Sequence, residues 1–592
     1  MKARKHARAT TKESQSLKAD SIGAWIRAFY SDGLSGRCPF WPPDLFAIAG
    51  SLLRRTGAYR KAFETPATAV VGGKSSYSRL SIWREARRIG GEWRGEISRQ
   101  LSEGDTFLPD CVPAKIQEWW QQLASRAQVS LGDFCDEYSG PRRNPRKKSD
   151  DLRVRDAVEA TICLAVAADQ ACAAMGLERF DPKKNDDRFL QLAQERLEDP
   201  DNNFQSYCIR VPKESVCVLP KHHTPQTGLT IRSFSHHLAL CAASEIETRW
   251  YGPFPLGERT EHLNMLLLPW PTQVRAKDFR LVPMARHPDV SHYQAFRFAP
   301  QRGSSNRNFL LWYRRALRKA NALAGPIHAI VLPEVAIDLK EYTAAERIAV
   351  KKRAMLIAGV RLSASDTTLG SPTNACVIQT GGLFGLKDVR WNALSDTRFV
   401  QGKHHRWRLD RNQILQYELG SQLPASGYFW ENIGLPPRSL QFVSLGSWMT
   451  WCALICEDLA RQEPVAEVVR AVGPNLVIAL LMDGPQLKER WSARYASVLA
   501  DDPGTSVLAI SNLGLVKRSQ PPGSGAGKRQ DLVIALWRDV VGGSREVVVS
   551  PGHDACVLSL VNHSEMEYSA DGCRDARPGN YPVYAGHSSF TV

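Results

Sequence analysis

Long apolar runs are scarce in this sequence. No stretch of its 592 residues approaches the 18 or so apolar residues that cross a bilayer. The opening residues, MKARKHARATTKESQSLKAD, also lack the apolar middle of a secretory signal. These absences predict a cytoplasmic protein with no membrane partner.

Cysteine pairs at metal-binding spacing are missing too. The 13 cysteines are an odd number and none stands in a CxxC pair, which indicates reduced thiols rather than disulfides or structural zinc. The paired histidines at 222–223 and 236–237 have no cysteine or acid at ligand spacing. Two glycine-containing stretches, GSGAGKR and GGKSS, depart from the pattern of a phosphate-binding loop. The sequence therefore predicts neither a metal site nor a cofactor.

Negative charge is in deficit. The net charge is +16 and the isoelectric point is near 9.3, which suits a polyanionic partner such as nucleic acid. The same surplus spread over a solvated surface would have no such role, and both interpretations stay open. The densest basic segment, SGPRRNPRKKSDD, is the candidate for phosphate contact. Its basic residues are Arg142, Arg143, Arg146, Lys147 and Lys148.

The apolar pattern divides the chain into three parts. Residues 1–20 read as a basic flexible tail, and residues 21–255 as a mostly helical accessory domain, which a linker at 139–151 could split into two subdomains. From 256 to 592, short apolar runs alternate with helical ones. Strands that are so uniformly apolar are covered on both faces, which predicts a layered α/β domain.

Three reactive residues end apolar strands in that domain. They are Glu334 in IVLPEVAI, Lys403 in FVQGKHHRW and Cys456 in ALICEDLA. Sites assemble at the carboxyl ends of strands in open α/β sheets. Each residue also has a structural interpretation: a carboxylate that caps a turn, a solvated loop lysine and a small core thiol. The neighbouring Glu457 and Asp458 make the thiol harder to ionise, so catalysis requires something that activates it.

The order of these residues resembles the nitrilase, or carbon–nitrogen hydrolase, superfamily. VLPEVAI is similar to its glutamate motif, GKHHRWRL to its lysine motif and LICEDLAR to its nucleophile motif, over about Leu263 to Val561. The resemblance implies a four-layer α-β-β-α sandwich. It also implies a thiol hydrolase in which Glu334 is the general base, Lys403 holds the oxyanion and Cys456 is the nucleophile.

The resemblance implies further residues and partners. Glu418 is the nearest candidate for a second glutamate, Asp458 is expected to bond the backbone of the turn, and Glu457 and His404 would lie beside the triad or line its pocket. The substrate would be a small amide or nitrile, with an amide as the default. Family members commonly form oligomers through the sandwich, so a homo-oligomer is expected.

A second hypothesis gives the chain a non-enzymatic role. Some nitrilase-like domains accompany reverse transcriptases of bacterial defence systems, so this chain could be a scaffold or assembly factor that associates with nucleic acid or with such a polymerase in antiviral defence. The basic, tryptophan-containing N-terminal half would suit docking. The sequence leaves the hydrolase and the scaffold as alternatives.

Overall fold

The computed structural model describes most of the chain, with gaps. The described residues are 19–30, 37–60, 76–104, 111–137, 156–177, 187–198, 206–222, 230–242, 246–254, 262–283, 294–300, 309–381, 398–446, 448–519, 532–569, 573–574 and 577–592. The predicted basic tail lies outside them up to residue 18, as does the basic segment at 142–148.

The chain forms two compact units. The first contains Met1–Gln100, Gly104–Ala171 and Cys208–Pro212, and the second contains Leu101–Glu103, Cys172–Tyr207 and Lys213–Val592. This division differs from the predicted boundary near residue 255. Within the described residues between 216 and 254, strands lie at Val216–Pro220, Leu238–Ala242 and Glu247–Phe254, which the prediction of a mostly helical domain did not include, and the last of them joins a large sheet of the second unit.

Helices make up the regular structure described for the first unit. They are α1 (Ile22–Phe29), α2 (Pro42–Thr56), α3 (Ser76–Ser102), α4 (Ala114–Ala124) and α5 (Ala157–Ala171). Helix α5 is buried along nearly its whole length and packs against α2 and α4. An added Cβ at Gly90 of α3 would lie 2.2 Å from the carbonyl oxygen of Ala167, so a glycine allows α3 and α5 to touch backbone to backbone.

The second unit contains eight described α-helices. They are α6 (Arg188–Glu198), α7 (Phe309–Ala324), α8 (Leu339–Lys351), α9 (Arg411–Gln416), α10 (Glu457–Ala460), α11 (Glu467–Val472), α12 (Trp491–Asp501) and α13 (Leu513–Arg518). Short 3₁₀ turns lie at Asp133–Glu137 in the first unit and at Ile231–Phe234, Ala276–Asp278 and Ala364–Asp366 in the second.

Its strands number twenty among the described residues. The first ten are β1 (Val216–Pro220), β2 (Leu238–Ala242), β3 (Glu247–Phe254), β4 (His262–Leu267), β5 (Phe279–Val282), β6 (Gln294–Phe298), β7 (Ala329–Asp338), β8 (Met355–Leu362), β9 (Thr373–Gln379) and β10 (Arg398–Gly402). The others are β11 (Arg408–Leu409), β12 (Phe429–Glu431), β13 (Ser439–Leu445), β14 (Met449–Ile455), β15 (Leu476–Leu480), β16 (Ser506–Ile510), β17 (Leu532–Asp539), β18 (Gly543–Val549), β19 (Ala555–Glu565) and β20 (Gly579–Phe590).

These strands form two large sheets and two small ones. The first sheet has the order β10-β9-β8-β7-β4-β19-β20, and the second sheet has the order β18-β17-β16-β15-β14-β13-β3. The small sheet has the order β11-β12-β6-β5, while β1 and β2 pair separately. The second unit is thus a mixed α/β fold, as the alternation of strands and helices predicted.

Apolar side chains of both large sheets meet in one core. Val331 and Ile357 of the first sheet share it with Trp451 and Ile478 of the second. A separate core lies between the first sheet and helices α7 and α8. Helix α12 packs against β16 and β17 of the second sheet. Because both faces of the central strands are covered, β7, β15 and β16 are buried almost throughout.

Candidate active site

The backbone itself singles out Glu334. Strand β7 leaves its ladder with β8 between Leu332 and Ile337, so that four residues of β7 stand opposite the single residue Gly359. An added Cβ at Gly359 would lie 2.5 Å from the Cα of Glu334, so only glycine leaves room for this bulge. The bulge turns Glu334 out of the regular ladder within a fully buried strand.

Cys456 occupies an equally unusual position. It follows β14 directly and precedes α10, with φ +48° and ψ −106°. A positive φ is strained for a residue with a side chain, and such strain concentrates at functional sites. The Cys456 N–H donates to the carbonyl oxygen of Leu480 at 2.9 Å, which fixes the sharp strand-to-helix turn against β15.

Lys403 joins two carboxylates at the end of β10. Its Nζ donates to Glu334 Oε1 at 2.7 Å and to Glu431 Oε2 at 2.7 Å. The amide of Asn374 on β9 donates to the same Glu334 oxygen at 2.7 Å and to Glu431 Oε1 at 3.2 Å. The structure therefore brings the predicted Glu334 and Lys403 into direct contact, and adds Glu431 and Asn374.

Burial and the neighbouring charges together set the pKa values in this cluster. Burial raises the pKa of Glu334 above its usual value, and Glu431 adds to the rise while Lys403 opposes it. Burial alone would lower the pKa of Lys403, but Glu334, Glu431 and Cys456 together raise it well above its usual range. Lys403 is therefore an ammonium ion in any ordinary buffer.

The Cys456 thiol is protonated at rest. Burial raises its pKa well above the usual value, and Glu334 adds to the rise while Lys403 opposes it. Both charges act on the sulfur, since each of them shifts its pKa. Glu334 Oε2 is buried and, within the described part of the chain, has no hydrogen-bond partner. The carboxylate therefore keeps one oxygen free to accept a proton.

Three predicted neighbours of the nucleophile have distinct positions. Asp458 is fully buried and accepts the backbone N–H of His404 at 3.2 Å and a ring nitrogen of His405 at 2.9 Å, so it joins the cysteine turn to the lysine loop. His404 is buried, and its Nε2 lies 2.8 Å from the carbonyl oxygen of Ser439. Glu457 forms an ion pair with Arg461 at 2.8 Å.

Glu418 is not part of the cluster, which corrects the predicted second glutamate. Its side chain is 58% exposed and lies 3.9 Å from Arg518. The residue that contacts Lys403 is Glu431, which sequence reasoning missed. The available signal was weak: in YFWENIG, Glu431 follows three aromatic residues, much as Glu334 follows the apolar residues IVLP in IVLPEVAI.

A second missed residue is Asp483, which follows β15. Its carboxylate accepts hydrogen bonds from Tyr417 at 2.5 Å, Arg490 at 2.7 Å and Trp491 at 2.9 Å. Its charge adds to the rise in the pKa of Cys456, with a smaller effect than burial, Glu334 or Glu457. Asp483 thus ties the start of α12 and the end of α9 to the neighbourhood of the nucleophile.

A cavity of about 260 Å³ borders the cluster. Its wall includes Asn374, Glu431 and Val335, which follows Glu334 in the chain. Trp270 and Phe298 supply aromatic surface, and Arg297 lies at its edge. Glu334, Lys403 and Cys456 are not among the residues that line this cavity, which meets the cluster through Asn374 and Glu431.

The described residues offer no cluster of three histidines, cysteines or acids that could hold a metal ion. His222 lies 3.0 Å from the Thr450 hydroxyl and 2.9 Å from the Asn475 amide nitrogen. Across the described ranges, none of the helices combines the length and the apolar character that a bilayer crossing requires.

No protein-family model and no curated protein matches the chain. Several solved structures resemble it. A carbon–nitrogen hydrolase from Helicobacter pylori G27 shows 12% identity and a TM-score of 0.30, over 50% of this chain and 89% of that one. Saccharomyces cerevisiae Nit3, a member of branch 10 of the nitrilase superfamily, shows 12% identity and a TM-score of 0.29, over 52% and 93%. An amidase from Nesterenkonia sp. AN1 in complex with acrylamide shows 14% identity and a TM-score of 0.29, over 52% and 93%. Likenesses at this level assign neither a family nor an activity.

Proposed function

We propose that the second unit is a nitrilase-like hydrolase that cleaves a carbon–nitrogen bond of a small amide. One observation carries the proposal: a buried ammonium, Lys403, bridges two buried carboxylates, one of which keeps a free oxygen. Burying three charges is costly unless they serve a purpose that apolar side chains could not. The strained cysteine turn supplies the matching nucleophile.

The first half of the reaction forms a thioester. Glu334 takes the proton from the Cys456 thiol as the sulfur attacks the amide carbon, so the ion pair need not exist before the substrate arrives. The oxygen of the tetrahedral intermediate accepts a hydrogen bond from Lys403 and from a backbone N–H beside Cys456. The carbon–nitrogen bond then breaks, and protonated Glu334 gives its proton to the departing amine.

The second half releases the acid. Glu334 takes a proton from water as the water oxygen attacks the thioester carbon. The carbon–sulfur bond breaks, and the thiolate regains the proton from Glu334. A nitrile would react by the same attack on carbon, but amides are the commoner metabolites. The mechanism uses this chain's side chains alone, so no cofactor takes part in it.

Glu431 and Asn374 hold the side chains of Lys403 and Glu334 in position. Lys403 donates to both Glu334 and Glu431, and Asn374 also donates to both carboxylates. With Lys403 held by two carboxylates, its ammonium is oriented before the oxyanion forms, which is the condition for efficient electrostatic stabilisation. The two large sheets with α7, α8 and α12 support the proposal of a four-layer sandwich.

A matched pair of cysteines tests the proposal. Cys452 lies four positions before Cys456 on β14 and is equally buried. Purified protein would be given a panel of short aliphatic amides and nitriles, ammonia release would be measured, and acid-quenched samples would be weighed by intact-mass spectrometry. Cys456→Ala should abolish ammonia release and the acyl adduct, while Cys452→Ala should retain both. Equal ammonia release from wild type and Cys456→Ala, or no adduct and no release with any compound, contradicts the proposal.

The scaffold hypothesis and its partners stay predictions. The basic residues Arg142, Arg143, Arg146, Lys147 and Lys148, on which the nucleic-acid version rested, lie outside the described residues. Self-association and a reverse-transcriptase partner likewise remain untested. A reverse transcriptase encoded beside this chain would favour the scaffold, and a thioester adduct would favour the enzyme.

A further inference from the structure

The small sheet has two chemically different faces. One face is apolar and mostly buried: Phe279, Phe296 and Phe429 belong to a hydrophobic core, while Leu281, opposite Phe296, is 48% exposed. The other face follows from the register. Arg280 lies directly opposite Arg297, and Trp430 lies opposite both Ala295 and Arg408.

Side chains alternate along a strand, so Ala295 and Arg297 point to the same side. The register therefore puts three arginines and a tryptophan on one face. All three arginines are exposed, and Trp430 is half-buried. The guanidinium of Arg408 lies 5.7 Å from the centre of the Trp430 ring and 4.9 Å from that of Tyr428, which is 55% exposed. This arginine face comprises Arg280, Arg297, Arg408, Tyr428 and Trp430.

Among the described residues, no acidic side chain neutralises the positive charges of the arginine face. No carboxylate of the described residues forms an ion pair with Arg280, Arg297 or Arg408. Like charges directly opposite each other across two strands destabilise a sheet. The pair of Arg280 and Arg297 therefore carries an energetic cost that a bound anion would relieve.

We infer that the arginine face binds single-stranded nucleic acid. Phosphates would lie on Arg280 and Arg297, and a base would stack against the rings beside Arg408. Cations interleaved with aromatic rings suit single strands, because every base offers a flat apolar face to stack and every nucleotide a phosphate to neutralise. A duplex hides its base faces, and an acidic protein would have no use for the rings.

The dimensions and the overall charge agree with this occupant. Four strands about 4.8 Å apart give a face roughly 14 Å wide, which accommodates the two or three bases that sheet-borne aromatics commonly stack. The chain's net charge of +16 would also draw a polyanion toward it. Of the five residues of the arginine face, Arg297 lines the cavity and the other four do not.

The first test removes charge from the face without touching the cavity. The full-length protein would be titrated into a fluorescein-labelled oligothymidylate at several salt concentrations, and anisotropy would be followed. Arg280→Gln/Arg408→Gln should weaken binding and flatten the salt dependence by roughly 0.7 log units per log unit of salt, since Arg280 is the one phosphate contact that this variant removes and each such contact on a single strand contributes about 0.7. The matched control is Arg314→Gln/Arg315→Gln, which removes the same charge from two exposed arginines of α7 and should behave as wild type.

The second test isolates stacking. Trp430→Ala should weaken binding to the oligothymidylate by about 5- to 100-fold, while binding to an abasic strand of equal charge should change little. Melting temperatures of every variant would be compared with wild type, so that a loss of binding is separated from a loss of folded protein.

Three results would overturn the inference. The first is no oligonucleotide binding by wild type. The second is equal binding by the two double variants, which would place the contact in the basic segment at 142–148 or in diffuse charge. The third is loss of binding to polyglutamate but not to the oligonucleotide in Arg280→Gln/Arg408→Gln, which would make the partner an acidic protein.

Discussion

Each of the two units buries a carboxylate, and they use it in opposite ways. In the first unit, Asp44 stands in the first turn of α2 and accepts the backbone N–H groups of Ile209, Arg210 and Val211 at 3.0 to 3.2 Å. In the second unit, Glu334 receives Lys403 and Asn374 on one oxygen and leaves the other without a partner among the described residues.

The difference separates a structural carboxylate from a chemical one. Asp44 holds residues 209–211 against α2, and both of its carboxylate oxygens already accept backbone hydrogen bonds. Glu334 keeps an oxygen that can accept a proton, and its charge acts on the Cys456 thiol, whose pKa is raised by burial. A buried acid is a candidate general base when one of its carboxylate oxygens has no hydrogen-bond partner.

The largest expected effect comes from removing the free oxygen. Glu334→Gln keeps the shape of the side chain but cannot accept the thiol proton, so amide hydrolysis should fall by two to four orders of magnitude. Steady-state ammonia release would measure it. Glu457→Gln is the matched control, because Glu457 adjoins Cys456 yet pairs with Arg461, and it should stay within a few-fold of wild type. Retained activity in Glu334→Gln would put Glu334 in the same structural role as Asp44.

Removing the cation should affect stability more than any other single change in the cluster. Lys403→Met leaves Glu334 and Glu431 facing each other without a counter-charge, which should lower the free energy of unfolding by about 3–5 kcal/mol. Urea denaturation would measure the loss. The triple variant Lys403→Met/Glu334→Gln/Glu431→Gln carries no charge at these positions and should recover most of that stability. A triple variant as unstable as Lys403→Met would show that packing, not charge, is responsible.

Ionisation of Asp44 should make the free energy of unfolding of the first unit depend on pH. Burial raises its pKa from 3.8 to about 6, although the backbone N–H groups oppose the rise. A raised pKa in the folded state means that the contribution is complete below pH 3.8 and is lost as the pH rises through about 6. The loss amounts to about 3 kcal/mol, at roughly 1.4 kcal/mol per unit of pKa.

Hydrogen exchange of the Ile209, Arg210 and Val211 amides would report that loss locally. Exchange corrected for its intrinsic pH dependence should speed up between pH 4 and pH 6, and Asp44→Asn should remove this change. A wild-type protein whose corrected exchange is flat over that range would contradict the assignment.

A smaller effect is expected from the second carboxylate of the cluster. Glu431 raises the pKa of Glu334, after burial and against Lys403. Because the base must be ionised, hydrolysis should rise as the pH passes through the raised pKa of Glu334. Glu431→Gln removes the repulsion and should shift this acid limb to lower pH. A pH–rate profile of kcat/KM measures the shift, and an unmoved or raised limb would contradict the coupling.

The pattern of apolar runs drew attention to Glu334, which lies within β7, and to Lys403 and Cys456, which directly follow β10 and β14. The structure joins Glu334 and Lys403 by a hydrogen bond, while the catalytic roles of all three stay predictions. The alternation of strands with helices predicted the mixed α/β fold. Glu431 was missed because β12 has only three residues and belongs to the small sheet, whose position depends on long-range pairing with β6. The strands between 216 and 254 were not recognised within a domain predicted as mostly helical for a related reason: pairing with distant partners, such as that of β3 with β13, decides whether such segments form strands.

The smallest expected effect comes from a substitution at Glu418. Glu418 was the sequence's candidate for the second glutamate, yet it is largely exposed and lies near Arg518. Glu418→Gln should therefore leave hydrolysis unchanged and alter the free energy of unfolding by less than about 0.5 kcal/mol, as is usual for surface positions. Ammonia release and urea denaturation would be compared side by side with Glu431→Gln. A loss of activity in Glu418→Gln, with Glu431→Gln unaffected, would reverse the assignment, because it would mean that the loop after α9 closes over the site when substrate binds.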